Sequence, residues 1–167
     1  IVHKSGNSAF IHKGINTIEH NIIIDCARGI HFRAYPQQYF VPESDIKRNI
    51  IYSTSEKFVP NSIFKWGKMF VHQAGTKSMP YEYDMDYNNY WWPGANKDLA
   101  LKQKNGIEAN GVVMDPKFKD LENFDYRIKN KALIKKIGFK PFDVSIESFG
   151  ITKDYPQNFR QKDKTLK

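Results

Sequence analysis

One cysteine, Cys26, stands among 167 residues. It excludes an intrachain disulfide and any multi-cysteine metal site, so stability must come from packing. No hydrophobic run approaches the roughly 20 residues of a membrane-crossing helix, and no membrane span is expected. Stretches with long helical periodicity are scarce. The five histidines, His3, His12, His20, His31 and His72, lack the spacing of a zinc site. The chain begins Ile1-Val2-His3-Lys4, without Met or a leader. It reads as a mature or excised piece, which leaves the compartment open.

What is present argues for a folded domain. A chain that is 40% hydrophobic and 14% aromatic is too apolar for disorder. Its length suffices for one domain with a real core. Lys and Arg number 26 against 18 Asp and Glu, a net charge of +8. That sign attracts polyanions: nucleic acid, anionic lipid or acidic polysaccharide. Charge is dense only from Arg160 to Lys167, which reads as a solvated tail.

Short β-branched or aromatic runs recur, each opening on Asn: Asn21-Ile22-Ile23-Ile24, Asn49-Ile50-Ile51-Tyr52 and Asn88-Asn89-Tyr90-Trp91. The spacing is irregular, which suits stacked coils whose strands stay constant while their loops vary. In such a stack Ile lies on Ile along the interior, and Asn at a recurring bend pairs its amide with the next coil's. The first run turns at Asp25-Cys26-Ala27-Arg28-Gly29 into a second strand, Ile30-His31-Phe32-Arg33. Ser62-Ile63-Phe64-Lys65-Trp66 reads as another strand. Tyr35 to Pro42 carries two prolines and reads as a protruding loop. Lys97 to Lys104 predicts about two helical turns, capped by Asn96 and stopped by Asn105-Gly106. A strand pair is predicted around Phe118 and Tyr126-Arg127-Ile128, and a helix over Ala132–Ile137.

The order of several elements in the second half resembles the C-terminal end of bacterial right-handed β-helix proteins of carbohydrate-active families, nearest to fucosidase- and xylanase-like glycoside hydrolases. Asp86-Tyr87-Asn88-Asn89-Tyr90-Trp91 looks like their "DYN-x-Y-W" strand. Gly111-Val112-Val113-Met114-Asp115-Pro116-Lys117-Phe118 looks like their "hydrophobic-DP-x-F" element. Asp125-Tyr126-Arg127-Ile128 resembles "GDF-x-L". Ile137-Gly138-Phe139-Lys140-Pro141-Phe142-Asp143 resembles "GF-x-P-hydrophobic-D". Phe149-Gly150-Ile151 with Asp154-Tyr155-Pro156 resembles the closing segment. The pattern departs at Asn130-Lys131-Ala132, where "SPA" is usual, at Lys102-Gln103, where Trp is common, and at Phe124, where Gly is usual.

The resemblance implies an all-β fold, a right-handed parallel β-helix. Residues 1–92 would form terminal coils with inserted loops, and 93–167 an irregular cap with short helices and a tail. It implies a secreted or periplasmic glycoside hydrolase using paired carboxylates in a groove along one sheet. A polysaccharide lyase, or a non-catalytic carbohydrate-binding segment, is the alternative. The implied partners are an oligo- or polysaccharide and either missing N-terminal coils or a partner chain, with nucleic acid ranked last. No cofactor is implied. Calcium is suggested only by Asp84-x-Asp86-x-Asn88, which fails as an EF-hand because Asn89 and Ala95 replace the required Gly and Glu.

The family's acids stand just before the groove strands, which singles out Asp25. If Ile30 and Phe32 face inward, His31 and Arg33 face outward together, and with Arg28 they form one polar cluster. A glycosidase needs two carboxyl groups roughly 5–9 Å apart, and stacked strands lie about 4.8 Å apart. The partner of Asp25 is then Glu56, Asp86, Asp84 or Glu82. The competing readings are a turn-fixing Asp25 and a structural Asp86. Trp92, beside Pro93-Gly94, and Trp66 are the candidate sugar-stacking rings. Cys26 with His31 reads as a packed small residue, not a nucleophile pair.

Overall fold

The computed structural model describes residues 1–12, 16–33, 44–54, 71–74, 83–104 and 106–143. Ten strands come first: β1 (Val2–His3), β2 (Ser8–His12), β3 (Thr17–Glu19), β4 (Ile22–Ile24), β5 (Arg28–Arg33), β6 (Ser44–Lys47), β7 (Ile50–Tyr52), β8 (Val71–Ala74), β9 (Tyr83–Asp86) and β10 (Asn89–Trp91). A helix, α1 (Ala95–Lys104), a hairpin of β11 (Phe118–Asp120) and β12 (Asp125–Ile128), and a second helix, α2 (Lys131–Ile137), follow. The fold is mainly β. The Tyr35–Pro42, Ser62–Trp66 and Phe149–Pro156 segments lie outside the described residues.

The ten strands obey one rule: each pairs with the strand three places along the chain. One sheet runs β1-β4-β7-β10, a second β2-β5-β8 and a third β3-β6-β9. Every pairing among them is parallel. The chain thus visits three sheets in turn and returns to the first. Ile22 lies opposite Ile50 and Ile23 opposite Ile51, so like residues form columns.

Packing explains why the Ile runs do not alternate with polar residues. Ile23 and Ile51 join Ile18, Ile30, Ile46, Met85 and Tyr90 in a core supplied by all three sheets. Ile22, Ile24 and Ile50 face the other way, against Tyr126, Leu133, Ile137 and Phe139. The β1-β4-β7-β10 sheet is therefore buried on both faces, the condition under which parallel strands become continuously apolar. Burial of each such side chain is worth about 1.5–3 kcal/mol.

A repeating bend delivers the chain into that sheet. His20, Arg48 and Tyr87 have φ of 55°, 58° and 58°, and each immediately precedes a ladder Asn. Left-handed backbone costs a non-glycine residue roughly 1–2 kcal/mol. The Asn column offsets this. Asn49 Nδ2 donates to Asn88 Oδ1 at 3.0 Å and to Ile18 O at 2.8 Å, while its Oδ1 accepts from Asn21 Nδ2 at 3.0 Å. The backbone N–H groups of Asn21 and Asn49 donate to the same column of oxygens.

The stack is closed by 106–114. Glu108 N–H donates to Met85 O at 2.9 Å, and Val112 N–H to Asn88 O at 2.9 Å. Val112 bridges Asn89 in parallel, adding one more layer to the edge. α1 starts two residues before the predicted Lys97, and Asn96 lies inside it. Ala95 N–H reaches Trp92 O and Lys97 N–H reaches Gly94 O, both at 3.0 Å, so the Pro93-Gly94 turn leads directly into the helix. α2 begins at Lys131, with the Asn130 side chain accepting from Leu133 N–H at 3.0 Å and Gly138 ending it in the left-handed region.

Candidate functional site

The structure places the expected carboxylates at opposite ends of the doubly buried strands. Asp25 follows β4, in the left-handed region at φ 48°. Its Oδ1 accepts from Thr54 N–H at 2.7 Å, and both its oxygens lie 3.1 Å from Thr54 Oγ1. The side chain thus fastens its turn to the next layer. Asp86 ends β9, on the side where the chain enters β10. Its Oδ1 accepts from Tyr87 N–H and Asn110 N–H, at 2.8 and 2.7 Å, and its Oδ2 from Asn110 Nδ2 at 2.8 Å. Two carboxylates so placed and so occupied do not converge on one bond.

Arg28, His31 and Arg33 lie along β5. His31 is in register with Ile11 and His72, Arg28 with Ser8, and Arg33 with Ala74, so a column of two histidine positions runs up this sheet. Glu56, Glu82 and Trp66 lie outside the described residues. Trp92 is only 8% exposed. Its Nε1 donates to Asp98 at 3.3 Å and its ring meets Tyr90 edge-on at 5.8 Å. Its faces are spent on the core, because the Pro93-Gly94 turn folds α1 back over it. Trp91, half-buried at the end of β10, is the more open of the two rings.

Among the described residues, two carboxylates on one sheet face do stand together. Asp45 on β6 and Asp84 on β9 are in direct register, one strand spacing apart, with side chains 49% and 62% exposed. Lys47 Nζ lies 3.0 Å from Asp45 Oδ1 and also bonds Asp84 Oδ2. The hydrogen bonds that the Lys47 ammonium donates to Asp84 and Asp45 hold it above its ordinary value. One ammonium between two carboxylates offsets their repulsion and leaves a net negative site. Thr17 continues the column downward. Asp84 was legible as an option; Asp45 was missed. The signal was there: Thr17, Asp45 and Asp84 each stand four residues before a ladder Asn.

A second polar node is fully buried. Glu108, 1% exposed, accepts from Asn88 Nδ2 at 2.6 Å and from the Tyr90 hydroxyl. Burial pushes its carboxyl up, against the pull of Tyr90, Asn88 and Lys102. Cys26 is also buried, and burial raises its thiol, which makes it a poor nucleophile. Among the described residues no group of three or more His, Cys, Asp or Glu is placed to hold a metal ion, and no helix is long and apolar enough to cross a membrane. Comparison with known proteins finds no matching family model, no matching curated protein and no matching solved structure.

Proposed function

We propose that the three-sheet cycle is the closing end of a right-handed parallel β-helix that binds and hydrolyses polysaccharide outside the cytoplasm. The observation that carries this reading is the in-register pair Asp45 and Asp84 on an open sheet face. Parallel strands about 4.8 Å apart bring two carboxyl groups to the ~5–5.5 Å separation of a retaining glycosidase. An outer face built of straight columns also suits an extended polymer. Asp25 and Asp86, bound to backbone of the next layer, hold turns in this reading. The segments whose sequence resembles those enzymes, Asp86–Trp91, Gly111–Phe118, Asp125–Ile128 and Ile137–Asp143, include the last strand of the doubly buried sheet and the hairpin strand β12.

The Lys47 ammonium lying between the two acids favours a second reading, a carbohydrate-binding face without turnover. The test is release of reducing ends from a panel of neutral and acidic polysaccharides by the full chain and by Asp45→Asn and Asp84→Asn. The first reading expects each substitution to lower turnover by about 10²–10⁴-fold, the range of a positioned acid or base, with thermal stability unchanged. Binding without hydrolysis would move the conclusion to the second reading. Neither binding nor hydrolysis with any glycan would overturn both.

A further inference from the structure

Besides the tail, one folded segment also concentrates positive charge. Between Lys117 and Lys140 there are eight Lys or Arg and three Asp or Glu, a balance of +5 out of the whole chain's +8. That span is the hairpin and α2. Its inner side, Tyr126, Leu133 and Ile137, packs on the sheet. Its outer side is basic: Lys129, Lys131, Lys135 and Lys136 are all exposed. The β3-β6-β9 face, with Glu19, Asp45, Asp84 and Asp86, has the opposite character.

Among the described residues these lysines are not the complement of acids. Asp125 already takes the Arg127 guanidinium and Lys119. Among the described residues no carboxylate pairs with Lys131, Lys135 or Lys136. Lys131 and Lys135 stand four apart on one helix face, where like charges repel and destabilise the helix. Lys135 and Lys136 do suit the helix C-terminus, but Lys131 in the first turn opposes it. A bound polyanion would relieve both conflicts.

We propose that the outer face of the β11-β12 hairpin and α2 is a docking surface for an anionic polysaccharide, one bearing uronate or sulfate groups. This rests on the polysaccharide reading above and names the charge class of the polymer. Among the described residues, the cations of this face without a carboxylate partner are all lysines, compact point charges on flexible stems that can follow irregularly spaced carboxylates. Arginine forks serve carboxylate and phosphate alike, and the only arginine here is committed to Asp125, so this face recognises charge density and not a bidentate geometry. α2 also offers no aromatic ring on which a base could stack.

The experiment is affinity electrophoresis and equilibrium binding of the full chain with polygalacturonate, a neutral glucan and duplex DNA, over a salt series. Wild type is compared with the charge reversal Lys131→Glu, Lys135→Glu, Lys136→Glu, whose fold is checked by circular dichroism and melting temperature. Polygalacturonate should bind with an affinity that falls steeply with salt, and the reversal should weaken it at least tenfold at low salt. Equal affinity in the reversed variant, no affinity for polygalacturonate, or tighter binding to DNA would each overturn the assignment. A milder variant, Lys131→Ala with Lys135→Ala, provides the same comparison if the reversal fails to fold. Loss of hydrolysis in Asp84→Asn tests the earlier reading separately, because it leaves α2 untouched.

Discussion

At the residue scale the controlling feature is the polar column along the bend. Asn49 is wholly buried, and each of its polar atoms has a partner. Replacing it with Ala removes acceptors from Asn21 and leaves buried groups unpaired, at about 1–3 kcal/mol each. Urea denaturation of Asn49→Ala should show a loss near 3 kcal/mol or more, against under about 1 kcal/mol for an exposed position such as Asn96. Glu108 sits at the column's end and receives what the next Asn would. Glu108→Ala removes the acceptor of the Tyr90 hydroxyl hydrogen bond and one of the two acceptors of Asn88 Nδ2, whose other bond runs to Ile46 O, and should cost about 1–3 kcal/mol. Glu108→Gln keeps a neutral acceptor and should cost far less at neutral pH, since it also removes a buried charge. The ladder was legible because Asn before an Ile run is a visible pattern. The residue before each Asn was not: His20, Arg48 and Tyr87 share no chemistry, and only the backbone shows that they share a conformation. Asp45 is inconspicuous for a related reason: the apolar run that marks each repeat follows its Asn, whereas the Thr17, Asp45 and Asp84 column precedes it.

At the element scale the sequence showed which segments form strands or helices better than where they begin. The hairpin and α2 were expected from Phe118 and Tyr126–Ile128 and from Ala132–Ile137, and they lie there. α1 was placed two residues late, because Asn96 reads as a cap whereas the turn at Trp92–Gly94 supplies the first carbonyls. The sheet order was not readable strand by strand, since the short second- and third-sheet strands carry few apolar residues of their own. α2 owes its end to Gly138 at φ 64°, whose N–H bonds Lys135 O and whose added Cβ would stand 3.4 Å from Arg48 Nε. Gly138→Ala should therefore destabilise by about 1–2 kcal/mol through the left-handed backbone. Gly138→Asn should recover part of that loss, since Asn tolerates the region. Chemical denaturation of the two variants side by side checks the ordering.

At the scale of the whole molecule, the closing unit is held to the first layers by more than its apolar face. Tyr126 Oη lies 2.7 Å from His3 Nδ1, and Lys140 N–H donates to His20 Nδ1 at 3.1 Å, with Phe139 edge-on to the same imidazole at 5.8 Å. The His20 contact requires an unprotonated Nδ1. Burial holds both histidines below their ordinary value, helped by Lys4 at His3 and by Lys140 and Arg48 at His20, and opposed by Asp25 and Glu19 respectively. A base with a lowered folded value binds fewer protons folded than unfolded. Stability is therefore complete above about 6.5, falls as pH drops through that value, and levels off below the folded values. Glu108 acts in the opposite sense, because its raised folded value gives stability that fades as pH rises above the unfolded carboxyl value. The two effects both lie in the range between the unfolded carboxyl and imidazole values, so the melting curve of wild type alone does not separate them. The double substitution His3→Gln, His20→Asn keeps an acceptor at both contacts, with Asn suited to the positive φ at position 20, and leaves Glu108 unchanged. The difference in melting temperature between wild type and this variant isolates the histidines. It should move against wild type on going from pH 7.5 to 5, because only wild type loses the histidine contribution over that range. A difference that stays constant across that range would show that neither imidazole couples proton uptake to the docking of α2 and the hairpin.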